Sequence, residues 1–579
     1  MAGIETTMTT KERNSMLRMT GKRRALSLWV ALCVLSGGMA SANVSIRNGN
    51  FFIAYTDIVY QGGLEPKVER VYNSKTPYKT GMFGPGWGTE YETYLTVSAD
   101  GSVVVHESGG GAENRFVPAA FKSADLDEAV KRIVAVAKTV GTLGSAKQAE
   151  AYAQKLQSNV SFRNEEWERF VLQGKLKARD LAVGSQLSSG RFSYQYITRL
   201  KAGYQRVFDS GRVESFDDAG RLSKVAERTG NFVDLAYGKD GKLQKLQDNF
   251  NRKMFFTFNS AGLLEKVEGE NGKKALYEYN GDRELAKSTD AAGNVFTFKY
   301  STDKQHNLVQ VGYSDKTAMD VAYHGVDKFQ NVKSVKARDG VLTEYDYSLD
   351  PADKGHLKVG VNSKDSQGQK LTGDNYEYFL KYRADGEEWT YKLVTVSDGD
   401  KTETIYNECC GLPLIIKQSG EETSFQYDVK GRVTKKTTPS EITHLTYDQK
   451  LGKVTKVVRN SKIDKKLSVW SQFQYDGAGN LVFAKNSESK GVKLFYDATG
   501  RISSMIDQDK RRLDFKYNEN SKPVEISDPS MGTITVSYNT SGEIQKVDST
   551  AGKKVALQVT SAFQNLLDII RPAGVSLTF

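Results

Sequence analysis

Three cysteines, ten prolines and five histidines are all that 579 residues contain of those types, and each scarcity removes a class of protein. So few cysteines exclude a disulfide-stapled mini-domain scaffold. Proline this sparse excludes collagen-like and proline-rich linker architectures. The histidines, His106, His306, His324, His356 and His444, are widely separated and lack metal-ligand spacing, so no metal site is expected. Also missing are a P-loop, a dinucleotide fingerprint, a G-x-S-x-G elbow and an H-E-x-x-H pair, so the sequence predicts no cofactor and no enzyme activity. No run of five like charges occurs; basic pairs such as Lys435-Lys436 and Arg511-Arg512 sit among acidic residues, as on solvated strand faces rather than in a nucleic-acid groove.

Long apolar runs are absent too, with one short exception. Lys22-Arg23-Arg24 precedes the apolar stretch Ala25 to Leu35, which is followed by Ala40-Ser41-Ala42. A basic start, a short apolar middle and small residues make a secretory leader. Residues 1–42 are therefore predicted to be a signal peptide, and the mature chain to be exported to periplasm, surface or medium without a transmembrane span. Losing that leader lowers the formal charge of +11 by four, to a mild +7. Cys33 follows Leu32 rather than a small residue, which argues against a lipid anchor.

What is abundant is glycine, at 52 residues, with tyrosine at 29 and phenylalanine at 26. These are not scattered. Phe216, Tyr237, Phe258, Tyr279 and Tyr300 follow one another at intervals of 21, and Tyr323 and Tyr347 extend the series. It resumes at Tyr406, Tyr427 and Tyr447, then runs through Tyr475, Tyr496, Tyr517 and Tyr538, the last three again 21 apart. A fixed period of this size marks a repeat architecture whose units need their neighbours.

Before each aromatic the residues alternate, as in Phe296-Thr297-Phe298-Lys299-Tyr300, which is the pattern of a half-buried strand. After it come Asp or Asn, two small residues and, four places on, Gly220, Gly241, Gly262, Gly431, Gly479, Gly500 or Gly542. Asp bonds its own backbone to start a turn, and glycine supplies the positive φ of a bulged hairpin loop. A second apolar strand then begins, as at Arg501-Ile502. Each repeat reads as a β-hairpin, its aromatic one rung of a structural ladder and its glycine a turn.

The unit Tyr-Asp-x-x-Gly-Arg-Leu/Ile resembles the YD repeat of bacterial Rhs proteins, which is similar to repeats in insecticidal toxin-complex shells and in teneurins. Arg70-Val71-Tyr72-Asn73-Ser74 followed by Gly81-Met82-Phe83-Gly84-Pro85-Gly86-Trp87 resembles the head segment of Rhs-type chains. The resemblance implies a mostly β fold, an antiparallel hairpin array spiralling into a sheet or shell that encloses a cargo domain in toxin members. Those members carry paired D-P-x-G motifs at the cargo junction. Here Asp350-Pro351-Ala352-Asp353 and Asp528-Pro529-Ser530-Met531 depart from that pattern, and the sequence after the last repeat is too short for a cargo domain, so a self-contained toxin is not expected and the sheet can be open.

Two stretches break the repeat. Leu126, Val130, Ile133, Val134, Ala137 and Val140 follow helical spacing, predicting a small α-helical insertion over 123–185. Residues 348–405 read as longer strands. The resulting division is a leader at 1–42, an Rhs-type β segment at 43–122, the helical insertion, repeats at 186–347, a β insertion at 348–405, and repeats at 406–579. Cys409-Cys410 stay as two small buried thiols, close a vicinal disulfide, or serve an intermolecular or reactive role, and the sequence leaves all three open. The functional expectation is a noncatalytic structural or binding protein of the envelope, with an envelope, glycan or protein partner; the rival expectations are a carrier for a separately encoded toxin cargo and a carbohydrate-active enzyme.

Overall fold

The computed structural model describes residues 41–570 except 61–62, 77–79, 108–110, 119–122, 190–194, 304, 326–329, 354, 383–387, 499, 519–522, 530–531, 539–543, 551–560 and 562–563. The leader up to residue 40, Gly542 and the side chain of Tyr538 lie outside the described residues.

Most of the chain is one antiparallel sheet of thirty-six strands, from Tyr94–Val97 to Ile544–Ser549, in which each strand pairs with its neighbours in sequence. The reason is local. In Lys274–Tyr279 alternate residues are buried, Ala275 and Tyr277 turning inward. The chain then reverses at the Asp/Asn and Gly positions, and the register slips by one at the repeat aromatics other than Tyr347, as between Ala236 and Tyr237 or between Phe495 and Tyr496. That slip is a bulge, which adds right-handed twist. Summed over many hairpins, such twist coils the sheet.

The coil is visible in contacts between distant repeats. Leu95 N donates to Gly220 O (2.8 Å), and a single bridge joins Tyr94 to Arg221, so the leading edge strand rests on the first repeat turn. Further along, Lys430 pairs with Asp209 (2.9 Å) and Arg228 reaches Lys450 O (2.8 Å). No register joins Ile544–Ser549 to another strand besides Gly532–Tyr538 among the described residues, and the sheet is open. Residues 348–405 pair within this same ladder through long strands, including Lys370–Tyr382 and Glu388–Ser397.

The inner side of the sheet is packed at two stretches, one by residues 41–88 and one by residues 564–570. Ser41–Ser45, Asn50–Val59, Lys67–Asn73 and Trp87–Gly88 form a separate four-stranded sheet. Its Phe51, Ile53, Tyr72 and Trp87, with Phe83 from the turn between Thr80–Gly81 and Gly84–Pro85, share one core with Leu246, Met254, Tyr277, Leu308 and Val332 of the repeats. The head is thus an interior plug. Its exit is held by Glu92, whose carboxylate accepts from Met82 N (2.6 Å) and Thr89 N (3.2 Å), and which burial pushes up to about 7. At the other end residues 564–570 are helical, and Leu566, Ile569 and Ile570 pack on Phe473, Leu494, Met505 and Leu513. The repeat signal in 406–579 gave no hint of that helix.

Candidate functional site: a cavity beside the helical insertion

Between strands Ala112–Pro118 and Gln186–Ser189, which pair directly, the chain leaves the sheet as three helices: α1 (Ser123–Thr139), α2 (Ala146–Ser158) and α3 (Val160–Leu172). Side-chain caps start the last two, Ser145 Oγ accepting from Gln148 N (3.2 Å) and Asn159 Oδ1 from Phe162 N (2.9 Å). Ile133, Ala137, Leu156, Trp167 and Phe170 give these helices a core of their own, to which the sheet end adds Ala99.

Polar contacts fasten that unit to the sheet. Trp167 Nε1 donates to Val97 O (3.1 Å), and the fully buried Asp100 pairs with Arg115 and, at 3.7 Å, with Arg163 of α3. Arg163 also donates to Leu156 O (2.7 Å), and burial lowers its pKa. Beside the insertion lies a cavity of about 2130 Å³ between α3, the strands from Tyr94 to Pro118, the head and the first repeat turn. Small-molecule pockets commonly measure about 300–1,000 Å³, so this space suits a larger partner segment.

One polar constellation lines it. His106, 5% exposed, is the cross-strand partner of both Tyr94 and Glu113. Its ring stacks on Tyr94, centroids 4.4 Å apart, while Nδ1 lies 3.1 Å from Glu113 Oε1 and Nε2 lies 3.0 Å from Thr96 Oγ1. Glu168 of α3 approaches the same Nε2 at 3.9 Å. The hairpin signal around Asp100-Gly101 places Tyr94 opposite His106; no pattern in the sequence places Glu168 there.

Of the residues singled out in the sequence, Asn73 of the head motif, His106 and the turn glycine Gly220 line this cavity. The ladder residues are elsewhere, and their hydroxyls have a role that the spacing did not disclose. Tyr237 donates to Leu222 O (2.7 Å), Tyr279 to Leu264 O (2.7 Å), Tyr300 to Leu285 O (2.9 Å), Tyr496 to Leu481 O (2.9 Å) and Tyr517 to Ile502 O (2.7 Å). Each partner lies fifteen residues back, at the start of the preceding return strand. Tyr427 and Tyr475 make the same clasp to Pro413 O and Val454 O. Burial raises these phenols, Tyr475 and Tyr517 to about 12. Phe216 and Phe258 hold their rungs without a hydroxyl.

The motif arginine completes the link. Arg501 N and Nε donate to the Asp497 carboxylate (3.0 and 2.8 Å), while its guanidinium lies 4.7 Å from the Tyr517 ring centre. Arg221 and Arg432 repeat the arrangement on Tyr237 and Tyr447. Tyr496→Phe is expected to cost about 1 kcal/mol, the net worth of one hydrogen bond; urea denaturation of the variant measures it, and an unchanged midpoint would mean that the clasp adds nothing.

The predicted turn glycines Gly220, Gly241, Gly262, Gly431, Gly479 and Gly500 have φ between 77° and 86°. Cys409 and Cys410 are joined, with Cα atoms 3.8 Å apart, in the turn between Asp400–Tyr406 and Pro413–Gln418, where Asn407 Oδ1 accepts from Cys410 N and Leu412 N. Cys409 is exposed there. Among the described residues no group of His, Cys, Asp or Glu side chains could hold a metal, and no helix is long and apolar enough to cross a membrane.

Residues 42–116 match a family described as a domain of unknown function, DUF6531. No curated protein matches the chain. Solved structures that it resembles include TcdB2-TccC3-TEV (11% identity, TM-score 0.39, covering 94% of this chain and 30% of that one) and the Photorhabdus luminescens Tc holotoxin pore (11%, TM-score 0.38, 86% and 29%). A porin-like protein from Bacteroides uniformis matches at 11% identity and a TM-score of 0.14, covering 46% of this chain and 91% of that one. The chain spans less than a third of the length of the two Tc chains.

Proposed function

We propose that this chain is an exported, noncatalytic binding scaffold of the bacterial envelope, which holds a partner at the cavity beside the helical insertion without changing it chemically. The observation that carries this reading is the use of space. The inner face of the sheet is occupied by the chain's own head at one stretch and by residues 564–570 at another, whereas about 2130 Å³ lies beside the insertion. Encapsulation of a separate toxin cargo needs the inner face to be vacant, so its occupation at these two stretches favours binding from outside. Regular repeats also have little freedom to become selective: their tyrosines, aspartates and arginines are committed to the clasps and turns, and insertions escape that constraint.

The test compares residues 43–579 with a variant in which 123–185 is replaced by a short Gly/Ser bridge. The ends to be bridged belong to strands that already pair, since Leu187 lies opposite Pro118, so the ladder survives the deletion. Capture on isolated bacterial envelopes is expected to fall about tenfold or more, the equivalent of about 1.4 kcal/mol, with no polysaccharide or peptide fragments released by either chain. Undiminished capture would remove the insertion from the binding site, and fragment release abolished by a single carboxylate substitution would make the protein an enzyme.

A further inference from the structure

We infer that His106 is a proton-operated latch which tightens the helical insertion onto the sheet as pH falls, and so sets how open the cavity is. The inference deepens the binding reading above, because the cavity matters to function only if the partner sits there; the latch itself stands on the geometry alone.

The latch lies in the seam. His106 belongs to strand Val103–Glu107, Glu113 to Ala112–Pro118 and Thr96 to Tyr94–Val97, all in the sheet, whereas Glu168 belongs to α3. With the ring neutral, the network assigns the proton to Nδ1, where it is donated to Glu113 (3.1 Å), and leaves the Nε2 lone pair to accept from the Thr96 hydroxyl (3.0 Å). Nothing then ties the ring to the helix, since the Glu168 carboxylate 3.9 Å away has no proton to meet. Protonation at Nε2 changes both partners. The Thr96 hydroxyl must turn and accept, and a full positive charge appears 3.9 Å from Glu168 across the boundary between helix and sheet.

The surrounding charges allow this response. Facing the ring are Glu113 from the neighbouring strand and Glu168 from α3, with the phenol of Tyr94 covering one face. Cations on the same elements are engaged elsewhere: Arg115 with Asp100, Arg163 with Asp100 and Leu156 O, Arg169 with Glu166. Glu107, next to His106 in sequence, is held by Arg206 (2.7 Å). Two carboxylates therefore face one imidazole that is nearly removed from solvent. Histidine is the side chain that ordinarily changes charge between pH 5 and 8, and α3 is the helix whose Trp167 and Arg163 dock the whole insertion. The charge attraction gained at Glu168 acts on the insertion as a unit.

Amide hydrogen exchange of residues 43–579 at pH 5.5 and pH 7.5, corrected for intrinsic rates, reads the latch. Peptides covering 160–172 are expected to be about fivefold better protected at pH 5.5, the effect of one partly exposed ion pair, while peptides from repeats 454–513 do not change. His106→Gln should abolish the difference, and Glu168→Gln, which alters a side chain 28% exposed and outside the sheet, should remove most of it without disturbing the fold. Equal protection of 160–172 at both pH values in the unaltered chain, or the same pH response in Glu168→Gln, would overturn the latch. Envelope capture at the two pH values separates the two ideas: protection that shifts while capture is absent at both would sink the binding reading and leave the latch intact.

Discussion

Arg70→Met is expected to destabilise the protein by about 3–5 kcal/mol, the penalty for breaking a buried ion pair by removing one partner. Arg70 and Asp57 are both fully buried, with Nε 2.8 Å from Oδ2. The guanidinium also donates to Ser288 Oγ (2.7 Å) and lies 4.5, 4.8 and 5.0 Å from the ring centres of Tyr55, Trp87 and Phe298. Asp57 accepts in addition from the Tyr277 hydroxyl (2.9 Å) and, through its carbonyl, from Ala291 N (2.7 Å). Two residues of the head therefore organise three residues of the repeats. Without Arg70, Asp57 keeps a desolvated carboxyl; burial already pushes it up against the pull of the guanidinium, and the variant must protonate it or unfold the plug. Asp57→Leu combined with Arg70→Met should recover much of the loss, because a paired replacement leaves no orphaned charge. Urea denaturation followed by tryptophan fluorescence measures both, and a loss below about 1 kcal/mol in the single variant would show that the plug does not depend on the pair.

Gly220→Ala is the second large effect, and Gly500→Ala is its internal control. Both glycines have positive φ, 81° and 80°, and both follow the repeat aromatic by four residues, so backbone strain alone predicts the same cost of about 1–2 kcal/mol. Their surroundings differ. A Cβ at Gly500 meets no atom within 4 Å, whereas at Gly220 it would stand 2.2 Å from Leu95 O. Leu95 belongs to the leading edge strand, whose N–H bonds the Gly220 carbonyl, so the methyl group pushes apart the contact that seats the first coil. The expected cost at Gly220 is about 3 kcal/mol or more, strain and collision together. Equal melting temperatures for the two variants would mean that the edge strand does not rest on this turn.

How far the sequence carried the fold can be judged from such pairs. The hairpins were legible because their determinants are neighbours in the chain: Asp497, Gly500 and Arg501 act on one another within five residues, and alternation before Tyr496 names the buried face. The helical insertion was legible because its period changes. Illegible were interactions whose partner is a main-chain carbonyl, such as Leu481 O beneath Tyr496, since every residue has one. Equally hidden were charged side chains placed against expectation. Arg70 stands out in the sequence only as part of the head motif, yet its partner Ser288 is 218 residues away and its side chain is fully buried. His106 and Glu168 meet only because α3 folds back over the strands that precede it.

The head is an interior part of the repeat sheet, and a double-mutant cycle across that boundary reads this packing. Trp87 Nε1 donates to the Tyr300 hydroxyl at 2.8 Å, joining the end of the head to the ladder across 213 residues of sequence. Trp87→Phe and Tyr300→Phe each remove this bond; the second also removes the clasp to Leu285 O. If the head is packed inside the sheet, unfolding free energies of the two single variants and the double variant should show a coupling of about 1 kcal/mol, within the range for residues in contact. Additivity to within about 0.3 kcal/mol would contradict it, and with it the filled, open sheet on which the functional reading stands.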